Sequence, residues 1–285
     1  MTVLFDGIAS GVLLFLISVG LSVTLGLMNF VNLAHGAFAM VGGYAFVLLL
    51  NRFGVPFLLA LPLAALASAA AGVMLERTLY RRLYGASHLD QVLFSIGLVF
   101  VSISSTHFLF GDQQQSLQLP AMLSGQFHVL GADLGVYRVF FIVIGLAVAA
   151  GLQVLVAGTR FGARLRAAVD DPRAARGLGI DVDRVFVLTF AHGSGLAGLG
   201  GALGIEMLGM NPEFPITYIV YFLIVVAMGG VGNIKGSLLA ALILGICDVE
   251  GKYYIPQAGA FMIYLVMVLT LVFRPQGLFG RAVTR

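Results

Sequence analysis

The stretch GIASGVLLFLISVGLSVTLGLMNFVNLAHGAFAMVGGYAFVLLLN, residues 7–51, contains no Asp, Glu, Lys or Arg. A helix needs about 20 mostly apolar residues to cross the hydrocarbon layer of a bilayer, so this stretch is long enough for two spans. Of the 285 residues in the whole chain, 60% are apolar and only 10% are charged. Such a chain cannot hide its apolar surface from water, which excludes a soluble enzyme, a disordered region and a nucleic-acid-binding module. The sequence therefore predicts an integral membrane protein.

Other charge-free stretches of similar length follow along the chain, at residues 53–75, 91–111, 139–159, 185–205, 214–234 and 253–273. A shorter stretch, Gly236–Cys247, fits a short span, a tilted span or a half-helix. If the first stretch is split at Asn29–Asn32, the sequence predicts an all-α polytopic protein with eight or nine transmembrane helices. The N-terminus MTVLFDG lacks the positive charge of a cleavable signal peptide, so the first helix is expected to be retained. Residues 1–285 are predicted to form a single transmembrane domain.

The positions of the cations predict the orientation, because Lys and Arg favour cytoplasmic loops. A topology with an external N-terminus, nine crossings and an internal C-terminus places 13 of the 16 Lys and Arg residues inside, and only Arg52, Arg138 and Lys252 fall outside. The loop 111–137 carries no Lys or Arg and falls outside. The loop 159–184 carries six arginines and falls inside.

The internal loop 159–184, TRFGARLRAAVDDPRAARGLGIDVDR, is predicted to fold as two short helices. An apolar face repeats at helical spacing in its first half, and Asp171-Pro172 is a typical N-cap and first residue of a second helix. Such a loop could bind a soluble partner subunit, or its arginines could only anchor it to anionic lipid. The residues of the predicted partner contact are Asp170, Asp171, Pro172, Arg173, Ala174, Ala175, Gly177 and Gly179.

Glycine is abundant, with 37 residues, and one predicted span concentrates it on more than one face. Gly193, Ala197 and Gly201 form a small-residue stripe at a spacing of four, and Gly200 and Gly204 form a GxxxG pair. Small residues let helix backbones approach closely in lipid. We interpret these residues as helix-packing positions, with a moving helix contact or a permeation path as the alternative.

The segment MNFVNLAHGAF places Asn29, Asn32 and His35 at spacings of three, and on a helix these side chains would share one face. They form either a polar turn or helix contact, or the lining of a path for a polar solute. No Walker, HExxH or GxSxG motif is present, so we expect no enzymatic activity, no bound cofactor and no metal site. The single cysteine, Cys247, excludes an internal disulfide and a Cys-based zinc site. The driving force for transport is therefore expected from a partner.

Four segments resemble the branched-chain amino acid permease family of ABC importers, LivH type. They are GLSVTLGLMNFVNLAHGAFAMVGGY (20–44), RAARGLG (173–179), AMGGVGNIKGSLLAALILG (227–245) and FRPQGLFGR (273–281). RAARGLG is similar to the EAA-x-x-x-G coupling motif, which inserts into a groove on the ATPase subunit of such importers. Arg173 stands where Glu is usual, so a Glu-dependent contact is not expected here.

The resemblance implies an ABC importer permease bundle in the bacterial inner membrane. Its implied partners are a second, LivM-type permease, two cytoplasmic ATPases that bind ATP and magnesium, and a periplasmic binding protein. The implied substrates are branched-chain or other hydrophobic amino acids, and Asn29, Asn32 and His35 become candidates for the translocation path. Two alternatives remain open: a permease of the same family for urea, short amides or other small carboxylates, and a self-contained carrier or channel.

Overall fold

The computed structural model describes residues 1–28, 30–129 and 132–280. Its helices are α1 (Thr2–Met28), α2 (His35–Asn51), α3 (Phe57–Thr78), α4 (His88–Phe110), α5 (Val136–Gly158), α6 (Arg160–Asp170), α7 (Pro172–Gly177), α8 (Val182–Leu208), α9 (Phe214–Gly229), α10 (Ile234–Tyr254) and α11 (Gly259–Phe273). A 3-10 helix, Tyr80–Leu83, lies between α3 and α4, and the strands β1 (Gln126–Val129) and β2 (Ala132–Gly135) lie between α4 and α5.

Most of these helices are built to lie in a membrane. The helices α1, α3, α4, α5 and α8 are long and apolar enough to cross it, and α2, α9 and α11 are shorter apolar helices. The short stretch Gly236–Cys247 belongs to α10, a continuous helix of 21 residues, so the half-helix that it also allowed is not observed. Near the end of α10, Asp248 accepts a hydrogen bond from Lys252 at 2.7 Å, and this pair lets the helix continue through charged residues.

The loops of the described residues collect at two opposite ends of the bundle. At one end, Tyr80 of the 3-10 helix contacts Asn32 in the α1–α2 connection. At the other end, Arg138 at the start of α5 pairs with Asp6 near the start of α1. Apart from α6 and α7, successive helices of the described residues run in alternating directions between the two ends. We call the first, which holds the loop 159–184, the arginine-rich end, and the second the hairpin end.

The loop 111–137 contains a feature that the sequence does not reveal. Within it, β1 and β2 form an antiparallel hairpin in which Phe127 lies opposite Leu134. The loop is also tied to the bundle, because the backbone N–H of Gln115 donates to the carbonyl of Met210 at 2.7 Å. Strands of four residues are too short for their alternation to stand out from a loop.

Helix α8 lies at the centre of the bundle and packs directly on α1, α2 and α3. A Cβ added at Gly42 of α2 would meet the backbone of Gly198, and one added at Gly201 would meet the backbone of Ala39 on α2. The five small residues that we interpreted as packing positions are all buried, namely Gly193, Ala197, Gly200, Gly201 and Gly204. A side chain at Gly42 or Gly201 would force α2 and α8 apart, so glycine at these two positions sets the distance between the two backbones.

Helix α1 makes a second long contact of this kind, with α10 near the other end of the chain. Near the hairpin end, an added Cβ at Gly7 would meet the backbone of Ile246. Near the arginine-rich end, the Ser237 hydroxyl donates to the Ser22 hydroxyl at 2.9 Å. The two contacts lie near opposite ends of α1, so α1 and α10 pack together along most of the length of α1 although they are far apart in sequence.

Replacement of Gly42 by Ala tests the α2–α8 contact. The added methyl group would meet the backbone of Gly198, and we expect the free energy of unfolding in detergent to fall by about 1–3 kcal/mol. The matched control is Gly97→Ala, because Gly97 lies on an exposed face of α4 with open space around its Cα. Alanine is the better helix former, so this control should unfold no earlier than the wild type. Equal destabilisation of both variants would contradict the close approach.

Candidate functional site: the coupling loop and the α1–α2 break

The first half of the loop 159–184 forms α6, as the apolar spacing predicted. The helix begins after Thr159, whose hydroxyl accepts a hydrogen bond from the backbone N–H of Gly162 at 3.2 Å. Its buried face contains Leu165 and Ala168, which pack against Val182 at the start of α8. The amphipathic pattern therefore holds α6 against the bundle while its arginines remain at the surface.

The second half forms α7, and its predicted N-cap is confirmed. The Asp171 carboxylate accepts hydrogen bonds from the backbone N–H groups of Arg173 and Ala174 at 2.9 and 3.0 Å. Pro172 is the first residue of the helix, where its missing N–H costs nothing. The helix ends at Gly177, and Gly179 follows with φ of +81°, a backbone conformation that favours glycine. Caps at both ends make this short helix a fixed feature of the arginine-rich end.

The loop divides its predicted contact residues into a buried and an exposed group. Ala175 is only 2% exposed and packs with Leu165 and Val182 in the core of the loop. The exposed group consists of Asp170, Asp171, Pro172, Arg173, Ala174, Gly177 and Gly179. Next to this group lies Leu178, which is 81% exposed and which the sequence analysis missed. The signal that could have found it is a large apolar residue between two helix-ending glycines of a charged loop.

Asp183 joins α7 to the rest of the arginine-rich end. Its carboxylate accepts a hydrogen bond from Arg176 of α7 at 3.0 Å, and it also pairs with Arg81 of the 3-10 helix. All three side chains are partly exposed to solvent, so each ion pair contributes at most about 1 kcal/mol. These ion pairs therefore position α7, the 3-10 helix and the start of α8 relative to one another, but they add little to the free energy of unfolding.

Near this cluster, two tyrosines donate hydrogen bonds into the bundle, one buried and one partly buried. The Tyr80 hydroxyl donates to Oδ1 of Asn32 at 2.9 Å, and the Tyr84 hydroxyl donates to Oε1 of Glu76 at 2.7 Å. Burial is the main cause that raises the pKa of Tyr84, so its hydroxyl stays protonated and remains a donor. Glu76 is buried, and the sequence analysis missed it because it directly follows a charge-free stretch.

The chain breaks between α1 and α2, so Asn32 lies in a turn, which is one of the two interpretations that the sequence left open, and it does not share a helical face with His35. Helix α1 ends at Met28 and α2 begins at His35. Oδ1 of Asn32 accepts the backbone N–H of Ala34 at 3.1 Å, and this local bond turns the chain instead of continuing the helix. Asn29 lies outside the described residues. We call the described part of this connection, residues 30–34, the α1–α2 break.

Asn32 and His35 are nevertheless close to each other and deeply buried, at 1% and 2% exposure. Nε2 of His35 lies 2.8 Å from the carbonyl oxygen of Ile17, and because that oxygen only accepts, Nε2 carries the proton. Ile17 lies in the middle of α1, so α2 begins inside the bundle. The backbone N–H of Val31 donates to Gln91 at 3.1 Å, which ties the α1–α2 break to α4 as well.

Comparison with known proteins decides the family. The model of the family described as "Branched-chain amino acid transport system / permease component" matches residues 3–271. The chain belongs to this family. The match includes the α1–α2 break, α7 and α8, and it confirms the predicted polytopic helical bundle and the resemblance found in the sequence.

Three relatives show how the permease compares with named proteins. It is 27% identical to the high-affinity branched-chain amino acid transport system permease protein BraD of Pseudomonas aeruginosa, over 98% of this chain and 95% of the relative. It is 28% identical to LivH of Escherichia coli, over 98% and 94%. It is also 28% identical to LivM of the same organism, over 92% of this chain and 67% of the relative. LivH and LivM are both named as permease proteins of a high-affinity branched-chain amino acid transport system.

Replacement of Asp171 by Ala tests the N-cap of α7. Loss of an N-cap costs about 1 kcal/mol, which corresponds to roughly fivefold faster exchange of the capped amides. We expect this increase at Arg173 and Ala174 in hydrogen exchange measured on the permease in detergent. Asp171→Asn keeps the accepting oxygen and should exchange like the wild type. Unchanged exchange in Asp171→Ala would show that the cap does not hold α7.

Proposed function

We propose that this permease carries branched-chain or other hydrophobic amino acids across the bacterial inner membrane, as one subunit of an ATP-driven importer. The observation that carries the proposal is the capped helix α7, held on the arginine-rich end of a bundle whose sequence has no P-loop motif. Family membership over residues 3–271 and the names of the relatives supply the substrate class. On this proposal the chain itself catalyses no reaction and binds no cofactor.

The exposed face of α7 is the proposed contact with a cytoplasmic ATPase. Arg173, Ala174 and Leu178 are exposed and reach a partner without any rearrangement, whereas Ala175 anchors the helix from beneath. ATP and magnesium are held by two ATPase subunits, which close when ATP binds and push on α7. Because Leu165 and Ala175 share one core with Val182, a push on α7 reaches α8 directly.

The proposal includes two further partners. A second, homologous permease of the LivM type completes the path; similarity to both LivH and LivM of one organism supports this pairing. A periplasmic binding protein delivers the amino acid at the hairpin end, where β1 and β2 project from the bundle. The exposed apolar side chains of α4 and α11 face lipid or the second permease.

Asn29, Asn32 and His35 stay our proposed path residues. Helix α2 begins beside the middle of α1, where His35 contacts the carbonyl of Ile17. A helix that starts at this depth brings backbone and side-chain polar groups into the bundle, as discontinuous helices do around the substrate sites of other transporters. Alternating access would then move α2 relative to the second permease.

Uptake by the reconstituted importer tests the proposed substrate. Proteoliposomes that contain the permease, its LivM-type partner and the ATPases should take up labelled leucine when the binding protein and internal ATP are supplied. Unlabelled isoleucine and valine should compete, and urea should not. Leucine uptake that persists without the ATPases would contradict the proposal and favour a self-contained carrier, and competition by urea alone would overturn the substrate class.

Replacement of Leu178 by Glu tests the ATPase contact. An apolar side chain of this size contributes about 1.5–3 kcal/mol when buried, so we expect the ATPases to bind at least about tenfold more weakly. The measurement is co-purification of the ATPases with the tagged permease at graded concentrations. The matched control is Met122→Glu, which places the same charge on an exposed apolar position of the loop 111–137. Equal binding by all three proteins would exclude α7 from the interface.

A further inference from the structure

We infer that Tyr80 is a positioning residue that transmits movement of α7 to the α1–α2 break through its hydrogen bond to Asn32. The inference rests on the proposed function, because it assigns the route between the ATPase contact and α2. Tyr80 does not belong to the proposed ATPase surface, and it meets the proposed substrate path only through its hydrogen bond to Asn32. Its role is to connect an element that an ATPase can push with an element that begins inside the bundle.

The bond itself is short, buried and placed at a junction. Tyr80 is fully buried, and its hydroxyl lies 2.9 Å from Oδ1 of Asn32. The same oxygen accepts the backbone N–H of Ala34, one residue before α2 begins. The single Asn32 side chain therefore holds the 3-10 helix on one side and the start of α2 on the other. Movement of the 3-10 helix cannot leave the α1–α2 break unchanged while this bond persists.

A continuous set of aromatic contacts surrounds this bond. The Tyr80 ring lies 5.2 Å from the ring of Phe30 in the α1–α2 break and 4.8 Å from the ring of Phe190 in α8. Tyr84 makes edge contacts with Phe30 and with Phe186, at 5.9 and 5.5 Å. Closely packed rings transmit displacement because they cannot be compressed. The 3-10 helix is thus packed between the start of α8 and the α1–α2 break.

The route from α7 to this aromatic set is also continuous. Ala175 of α7 packs in one core with Val182 and Val185 of α8, and Phe186 adjoins the same core. At the surface, Asp183 links Arg176 of α7 to the 3-10 helix. A push on α7 therefore reaches the 3-10 helix along two paths, one apolar and buried, the other ionic and exposed. Both paths converge on residues next to Tyr80.

One buried polar atom at the α1–α2 break lacks a hydrogen-bond partner in the observed arrangement of the described residues. Nδ2 of Asn32 is buried and has no hydrogen-bond partner among the described residues. A buried donor without a partner raises the free energy of the arrangement that contains it. An arrangement in which Nδ2 finds an acceptor would recover that part of the free energy. Such an element can be biased from a distant site, which is what coupling requires.

Replacement of Tyr80 by Phe tests this route, since it removes one hydroxyl and keeps the ring contacts. In the proteoliposome assay, the ATPases should still bind and hydrolyse ATP, but the amount of leucine imported per ATP hydrolysed should fall roughly fivefold. The matched control is Tyr137→Phe. It removes another buried hydroxyl, which donates to the carbonyl of Leu203 at 2.8 Å near the hairpin end, and it should leave the ratio unchanged.

A double variant separates coupling from general destabilisation. If Tyr80 acts through Asn32, the pair Tyr80→Phe and Asn32→Leu should lower the ratio no further than Asn32→Leu alone. A wild-type ratio in Tyr80→Phe would overturn the inference, and so would an equal loss in Tyr137→Phe. Failure of the proposed function is recognised separately, because the wild-type complex would then import no leucine or bind no ATPase.

Discussion

The direct contact between glycine backbones on α8 and α2 is the constraint on which the remaining structure depends. Apolar side chains gain little by leaving lipid for protein, so helices in a membrane associate through close van der Waals contact. Gly198 and Gly201 allow α2 to cross α8 at backbone distance. This close contact lets the short helix α2 lie inside the bundle. Because α2 begins there, the α1–α2 break that precedes it is buried as well.

That position explains why the polar groups of this permease lie where they do. A helix that begins inside a bundle leaves backbone groups without intrahelical partners, and a nearby polar side chain has to satisfy them. Oδ1 of Asn32 accepts the backbone N–H of Ala34. The same oxygen accepts a second hydrogen bond from the hydroxyl of Tyr80. The arginine-rich end is therefore joined to the centre of the bundle by hydrogen bonds and aromatic rings, while its arginines stay at the surface.

The sequence predicted the elements that local rules govern, and it failed where tertiary contacts decide. The helix α7 followed from Asp171 and Pro172, because an N-cap acts on its own neighbours. The end of α10 could not be predicted, since counting charges does not show that Asp248 and Lys252 pair. The choice between a turn and a helical face for Asn32 and His35 could not be made for a related reason: the spacing of three fits a helix, whereas the side-chain bond of Asn32 to Ala34 turns the chain. The buried position of Glu76 could not be predicted either, because its hydrogen-bond partner Tyr84 lies beyond the end of α3.

The pairing of α1 with α10 has a consequence for how the protein is made. Helix α1 leaves the ribosome first, but its main partner begins at Ile234, roughly 200 residues later, which takes about 10–40 s at ordinary rates of synthesis. During that time the face of α1 that contains Gly7 and Ser22 lacks α10 as its partner. The membrane must therefore hold α1 with one face unpaired until α10 has been inserted beside it.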